Sequence, residues 1–388
     1  MRIRFDKLGV LIAILLCLGT LLAPFATFRA NRIVPGGPRS ILESLPSGYG
    51  TALLIALGVA AVVTILRTPA AARLAVAAIG LLALMLLIGT AGRFLTPEGN
   101  TYARVSPASG FWTLLFAFLL LAADAITRMK PKPAVRVLLL GVTLGALAAI
   151  LASGRWDSLS LLKEYSGRAD VFWTEAGKHV TLAIGSLLAS VIVGLPLGIL
   201  CHRVRPLRAG VLNVLNLIQT IPSIALFGLL IAPLGWIAVN VPGASAIGVR
   251  GIGAAPAFVA LFLYSLLPVV ANTVVGLAGV PREANEAARG LGMTGAQRLL
   301  RVEFPLALPV ILTGIRIVLV QNIGLATIAA LIGGGGFGVF VFQGIGQTAM
   351  DLVLLGAVPT VLLAFAAAII LDALIEINAP LNRAGRTA

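Results

Sequence analysis

The sequence predicts an all-α, polytopic membrane protein of about ten transmembrane helices, on three observations. The 388 residues are 59% hydrophobic and only 11% charged, with a mean hydropathy of +1.04, whereas roughly a quarter of the residues in soluble domains are charged. The apolar residues are gathered into runs of the ~20 residues that carry a helix across hydrocarbon, where every backbone N–H and C=O must be satisfied within the segment. Lys and Arg are concentrated in alternate connections between those runs, as the positive-inside rule requires.

The expected spans lie at 8–27, 49–66, 74–91, 110–127, 137–153, 180–201, 211–232, 255–279, 306–331 and 352–375. The first follows the basic start MRIRFDK and has the outline of a signal peptide. LLAPFATFRA offers no small-x-small cleavage site and nine further segments follow, so the run is read as the first helix. Basic residues outnumber acidic ones 29 to 14, a net charge of +15. They cluster in MRIRFDK, in RMKPKPAVR at 128–136, in RVRPLR at 203–208 and at 282–301, which places both termini in the cytoplasm. No basic face is interleaved with aromatics, so the charge sets topology in the lipid bilayer and argues against nucleic acid as a partner. Cys17 and Cys201 fall inside spans without His or Cys neighbours, so neither a disulfide nor a metal site is expected.

The chain divides near residue 160. Residues 1–160 read as an N-terminal membrane extension of about five Ala- and Leu-rich helices, 161–179 as an external segment, 180–377 as a core of about five helices, and 378–388 as a cytoplasmic tail. Around the division, GRWDSLSLLKEYSGRADVFWTEAGKH mixes both charge signs with aromatics. Trp156, Tyr165 and Trp173 would suit an interfacial segment at headgroup level, with a solvated loop as the alternative.

The second half differs from the first in its punctuation by proline and polar residues: LPLG at 195–198, NLIQTIPS at 216–223, LLPVVANT at 266–273 and VQNIG at 320–324. Polar groups in hydrocarbon are costly unless they face other helices or water. Gln219, Thr220, Ser223, Asn272, Thr273, Gln321 and Asn322 are therefore candidates for lining a pathway, although each alone also fits an interhelical hydrogen bond. Arg316 lies about ten residues, roughly 15 Å, into its span. Unpaired there it would cost ~2.5–3.5 kcal/mol, so it must face protein or water. Asp372 sits near the cytoplasmic end of the last span, with Arg383 as its expected partner.

One stretch between apolar runs is polar and helix-forming: EANEAARGLGMTGAQRLLRVEFP at 283–305. Pro281 suits a first helical position, and Glu283 and Glu286 fall in the early turns, where carboxylates meet the positive end of the helix dipole. Gly290 and Gly292 can stop that helix, and Thr294 with Gln297 forms a capping box for a second short one, which Pro305 closes. The expectation is a helix-turn-helix on the cytoplasmic surface, with Ala287, Ala288 and the glycines leaving room for close approach by a partner.

The order Glu-Ala-Ala, three residues, Gly, nine residues, Ile-x-Leu-Pro marks the cytoplasmic loop of binding-protein-dependent ABC importer permeases. Glu286, Ala287, Ala288 and Gly292 match it in register, and Val302, Phe304 and Pro305 stand at the Ile, Leu and Pro places, the first two as conservative departures. HVTLAIGSLLASVIVGLPLGIL, NLIQTIPSIALFGLLI, LYSLLPVVANTVVGL and GIRIVLVQNIGLATIAALIGGGGFG narrow the likeness. Over about 175–377 the chain resembles the permeases of glycine betaine, choline and proline (quaternary amine) uptake systems. Residues 1–160 depart from the compact family pattern and resemble the extended N-terminal half of some osmoprotectant-type permeases.

The resemblance implies an ABC type I importer-like core in a prokaryotic cytoplasmic (inner) membrane. It also implies a loop at 281–305 that docks a cytoplasmic ABC ATPase subunit through Glu286, Ala287, Ala288, Gly290, Gly292, Val302, Phe304 and Pro305. A second permease subunit, identical or not, and an external solute-binding protein on a separate chain would complete the system. ATP and Mg would reside on the ATPase, with no cofactor and no catalysis in this chain. GGGGFG at 333–338 is not a nucleotide loop, because G-x-x-x-x-G-K-[ST] occurs nowhere; it reads as a tight turn or re-entrant element at the outer end of a span. His179 and His202 are isolated near span ends and are assigned no catalytic role. The alternatives are an ABC permease for another small solute such as an amino acid, a secondary transporter, which would have no use for a docking loop, and a membrane enzyme, for which ionisable groups are too sparse.

Overall fold

Hydropathy and breakers together decide where helices begin and end. The computed structural model describes residues 6–32 and 34–379; the first five residues of the basic start, Arg383 and all but the first two residues of the tail lie outside the described residues. Among the described residues, nine helical segments are long and apolar enough to cross a membrane, and Lys7–Leu21 is a shorter apolar helix. The chain divides into two compact units. One runs to Lys132 and includes Gly141–Gly167; the other holds Pro133–Leu140 and the chain from Arg168 onward.

The first unit contains α1 (Lys7–Leu21), α2 (Ile41–Ser44), α3 (Ser47–Ile65), α4 (Ala70–Leu95), α5 (Ser109–Met129), most of α6 (Pro133–Ala152) and α7 (Ser160–Ser166). Its core is one apolar cluster that includes Leu16, Leu57, Leu84, Ile88, Leu114 and Phe118. The expected first span overran. The helix stops at Leu21, and Ala26–Arg29 becomes β1, the centre of a small antiparallel sheet with β2 (Gly37–Arg39) and β3 (Arg104–Pro107). Trp156, expected at headgroup level, is half-buried against its own unit. Its Nε1–H donates to the Met85 carbonyl at 2.8 Å and its ring packs on the unit's core.

The second unit holds α8 (Ala169–Arg203), α9 (Arg205–Thr220), α10 (Ser223–Leu229), α11 (Ile231–Asn240), α12 (Ala254–Ala278), α13 (Arg282–Gly290), α14 (Gly295–Arg298), α15 (Phe304–Leu325), α16 (Gly338–Gly346) and α17 (Met350–Asn378). Helices α8, α12 and α15 pack around Leu187, Val269 and Val318, and α17 lies against α15. Two expected boundaries are corrected here. Much of the segment expected to be an external connection is the first third of α8, a 35-residue helix about 52 Å long at 1.5 Å per residue. The span expected at 211–232 is broken at Ile221-Pro222, and the apolar segment of membrane length is 223–240. The residue before proline is pushed out of the helical region, and Ile221 accordingly has ψ 127°.

Candidate functional site

The polar stretch folds as its caps dictate. Pro281 is the N-cap of α13, one place earlier than expected, with Glu283 in the first turn. The helix ends in a glycine-terminated Schellman arrangement: Gly292 N–H donates to the Arg289 carbonyl at 3.0 Å and Met293 N–H to the Ala288 carbonyl at 3.1 Å. Gly292 at the turn has φ +75°, the left-handed conformation that glycine enters without steric cost. Both bonds of the second cap are present: Thr294 N–H donates to Gln297 Oε1 at 2.8 Å, and Gln297 N–H to Thr294 Oγ1 at 3.3 Å.

Pro305 does not close the second helix. Residues Leu299–Glu303 form a π-turn that runs straight into α15, with Pro305 in its first turn. A proline lacks the N–H for the carbonyl four residues back and its ring collides with that carbonyl; the wider π-turn separates the two and keeps the rod continuous. Glu286, Ala287, Gly290 and Gly292 are exposed, while Val302, Phe304 and Pro305 are half-buried. Ala288, expected on the surface, is buried under α13. The large apolar side chains exposed on the loop are instead Leu291 and Leu300, 79% and 68% exposed. The Glu-Ala-Ala and glycine pattern specifies small residues and carries no mark of these two leucines.

Beneath this loop lies an ion pair that spacing could not reveal. Glu303, 3% exposed within the π-turn, receives a hydrogen bond at 2.6 Å from Arg203, the last residue of α8.

The seven polar candidates separate into different roles. Asn322 is fully buried and its Nδ2 donates to Ser186 Oγ and Ser265 Oγ, both at 2.9 Å, tying α8, α12 and α15 together. Thr273 is also buried, bonded to the Val269 carbonyl at 2.7 Å. Both therefore face neighbouring helices in this structure and offer no surface to a pathway. Gln219 Nε2 donates to the Tyr264 carbonyl at 2.8 Å, the group that Pro268, four residues on, leaves without its helical donor. In return the Tyr264 hydroxyl donates to the Ile221 carbonyl at the Pro222 break. The carbonyl freed by Pro268 and the carbonyl at the Pro222 break are thus each met by the opposing segment, the condition under which broken helices persist in hydrocarbon. Tyr264 carried no signal for this in the sequence.

Asn272 Nδ2 donates to the Pro268 carbonyl at 2.8 Å, and Asn272, Gln321 and Ser223 are half-buried. Thr220 is exposed, its hydroxyl bonded to the Leu217 carbonyl at 2.7 Å. Arg316 faces protein, as its depth required: Nη1 lies 2.8 Å from Asp372 Oδ1. Asp372 is thereby paired with Arg316, because α15 and α17 pack side by side; Arg383, the partner expected for it, lies outside the described residues.

Asn322→Leu is expected to lower the stability of the solubilised protein by about 1–2 kcal/mol, the worth of interhelical hydrogen bonds in membranes. The loss stays modest because the Ser186 and Ser265 hydroxyls also donate to the Leu182 and Leu261 carbonyls at 2.6 Å and are not orphaned. An unfolding titration in detergent measures it; unchanged stability would remove Asn322 from the packing account.

At the opposite end of α8, the glycine run turns tightly after Ile328–Ile332, with Gly333, Gly335 and Gly336 all at positive φ. The turn is held by α8: Gly336 N–H donates to Glu175 Oε2 at 2.6 Å and Phe337 N–H to His179 Nδ1 at 3.4 Å. His179 is thus a buried structural acceptor.

Residues 6–162 match the family described as the N-terminal domain of the ABC transporter permease YehY. Residues 194–383 match the binding-protein-dependent transport system inner membrane component. The osmoprotectant import permease protein OsmW of Salmonella typhimurium is 47% identical over 197 residues, 51% of this chain and 83% of that protein. The choline transport system permease protein OpuBB of Bacillus subtilis is 37% identical over 187 residues, 48% of this chain and 79% of its own length. An inward-facing form of the MetNI methionine ABC transporter is 23% identical, covering 54% of this chain and 95% of that one with a TM-score of 0.44. With an apolar helical fold, a capped polar loop between spans, the family match over 194–383 and the likeness to OsmW and OpuBB, the chain belongs to the binding-protein-dependent ABC importer permeases of the inner membrane.

Proposed function

We propose that this permease forms part of the translocation pathway for glycine betaine or a related quaternary amine. Loop 281–305 serves as the seat of a separate cytoplasmic ATPase that carries ATP and Mg, and both chain termini face the cytoplasm. A second permease subunit completes the pathway, and an external binding protein delivers the solute. The observation that carries the docking assignment is the exposed, doubly capped helix-turn-helix with Leu291 and Leu300 outward. The substrate class is supported by relatives whose names specify osmoprotectants and choline.

Mechanistically, closure of the ATPases on ATP favours one of two helix packings, which is all a nucleotide needs to do to drive alternating access. The continuous π-turn passes loop movement directly into α15. Selectivity for a quaternary ammonium would reside in the binding protein, where an aromatic cage attracts the cation, so the permease itself needs only a weakly binding polar route.

The test is uptake of labelled glycine betaine in cells lacking other betaine systems, with the permease, its ATPase and its binding protein supplied together. Accumulation that requires all three and stops on ATP depletion is the expected result. No accumulation by an assembled complex would remove the substrate.

A further inference from the structure

We propose that Arg203 and Glu303 are positioning residues that carry movement of the docking loop into α8 and, along that helix, to the glycine turn at 333–337. The inference rests on the reading of 281–305 as the ATPase seat. Glu303 is 3% exposed, so it cannot contact a docked subunit; its carboxylate is spent on Arg203 at 2.6 Å, a residue 40% exposed. A charge-assisted bond of this length is among the stronger polar contacts, and loss of one partner would strand a carboxylate under the loop. The loop is therefore fastened to the membrane helices twice: to α15 through the π-turn backbone and to α8 through this pair.

Helix α8 is suited to pass the displacement on. Arg203 and Glu175 are 28 residues apart on it, about 42 Å along its axis. Pro196 interrupts one bond of the ladder, but flanking glycines let α12 brace the helix there. A Cβ on Gly194 would come 2.8 Å from Val269 Cγ1, and one on Gly198 2.6 Å from Thr273 Cβ. At the far end Glu175 Oε2 holds Gly336 N–H at 2.6 Å while its Oε1 accepts from Lys178 at 2.7 Å. Gly336 sits at φ +87°, a conformation open to glycine, and its N–H fastens the turn to α8. A shift of α8 relative to α15 changes the Glu175–Gly336 and His179–Phe337 distances together, and the glycine turn becomes the two-state element that the ATPase end biases.

The experiment uses the full complex in proteoliposomes with its ATPase and the binding protein, comparing Glu303→Gln, Glu303→Asp, Arg203→Gln and the exchanged pair Arg203→Glu with Glu303→Arg. Glu303→Gln and Arg203→Gln are expected to keep the ATPase bound and its basal hydrolysis within about twofold, while binding-protein-stimulated hydrolysis and uptake fall about tenfold. Glu303→Asp, which keeps the charge, retains most of the stimulation, and the exchanged pair recovers at least half. Leu331→Cys, at an exposed site beside the turn, reports the far end in a background with Cys17 and Cys201 replaced. Its maleimide labelling rate changes between nucleotide-free and nucleotide-trapped states in the parent, and Glu303→Gln abolishes that change.

Wild-type stimulation in both Gln variants, equal loss in Glu303→Asp and Glu303→Gln, or nucleotide-dependent labelling that survives Glu303→Gln would each overturn the proposal. Loss of the bound ATPase in the Gln variants would also overturn it, by making the pair part of docking. A parent complex that never retains the ATPase would instead refute the docking reading itself.

Discussion

Gly292→Trp is expected to reduce co-purification of the ATPase with this permease more than tenfold while leaving membrane insertion intact. Two effects combine at this position. Gly292 holds φ +75°, which costs most L-residues roughly 1–2 kcal/mol, so the Schellman turn that aims α13 at α14 is strained by a bulky side chain such as Trp. The position is also exposed, with nothing within 4 Å of a Cβ built there, so an indole would project outward beside Leu291 into the space a docked subunit would occupy. Gly292→Asn separates the two effects, since asparagine tolerates the left-handed region: it should retain most of the ATPase. Normal co-purification by the Trp variant would refute the docking assignment.

Arg73→Ala should be the most destabilising single change in the first unit. Arg73 is fully buried. Its guanidinium meets Asp124 at 2.9 Å and Asp6 at 3.0 Å, and donates to the carbonyls of Leu66 and Thr64 at 2.9 and 3.1 Å. It thereby joins the start of α1, the end of α3, the start of α4 and the end of α5. Removing one partner from a buried charge network typically costs 3–5 kcal/mol. The lower end, about 3 kcal/mol, is expected because Arg128 remains on Asp6 and Asp124 at 2.5 and 2.8 Å.

The triple variant Arg73→Met, Asp6→Asn, Asp124→Asn should recover much of that loss by removing the stranded charges. Unfolding followed in detergent distinguishes these outcomes, and an unchanged transition in Arg73→Ala would show that the network contributes nothing. Acid weakens the same cluster. Burial works to raise the Asp6 carboxyl, but the Arg128 hydrogen bond, the Gly9 N–H and the charges of Arg73 and Arg128 outweigh it and hold the group below its ordinary value. A depressed carboxylate stabilises the folded state above its unfolded pKa of about 4, and that contribution is lost as the pH falls through the folded value.

What could be read from the sequence was local. The composition and run lengths determined a polytopic helical membrane protein, because hydrocarbon admits few backbone arrangements and each span must satisfy its own hydrogen bonds. The caps of the polar loop at 281–305 were legible: Gly292 in a left-handed turn and the reciprocal Thr294–Gln297 cap each involve atoms within a few positions of one another. Arg316 announced its need for a partner by depth alone, though not which partner.

Everything that depended on which helix packs beside which was decided by the tertiary structure. The break at Pro222 persists because Tyr264, 43 positions from Ile221, supplies the missing donor. Asn322 is interhelical glue because Ser186 and Ser265 converge on it from two other helices. Ala288 is covered because α13 folds down on that side, and Asp372 takes Arg316 because α17 lies along α15. Arg203 and Glu303, 100 positions apart, leave no periodic or compositional trace in the chain. Hydropathy and capping act through neighbours in sequence and are written there; partner choice among polar groups is set by helix packing, which only the folded chain defines.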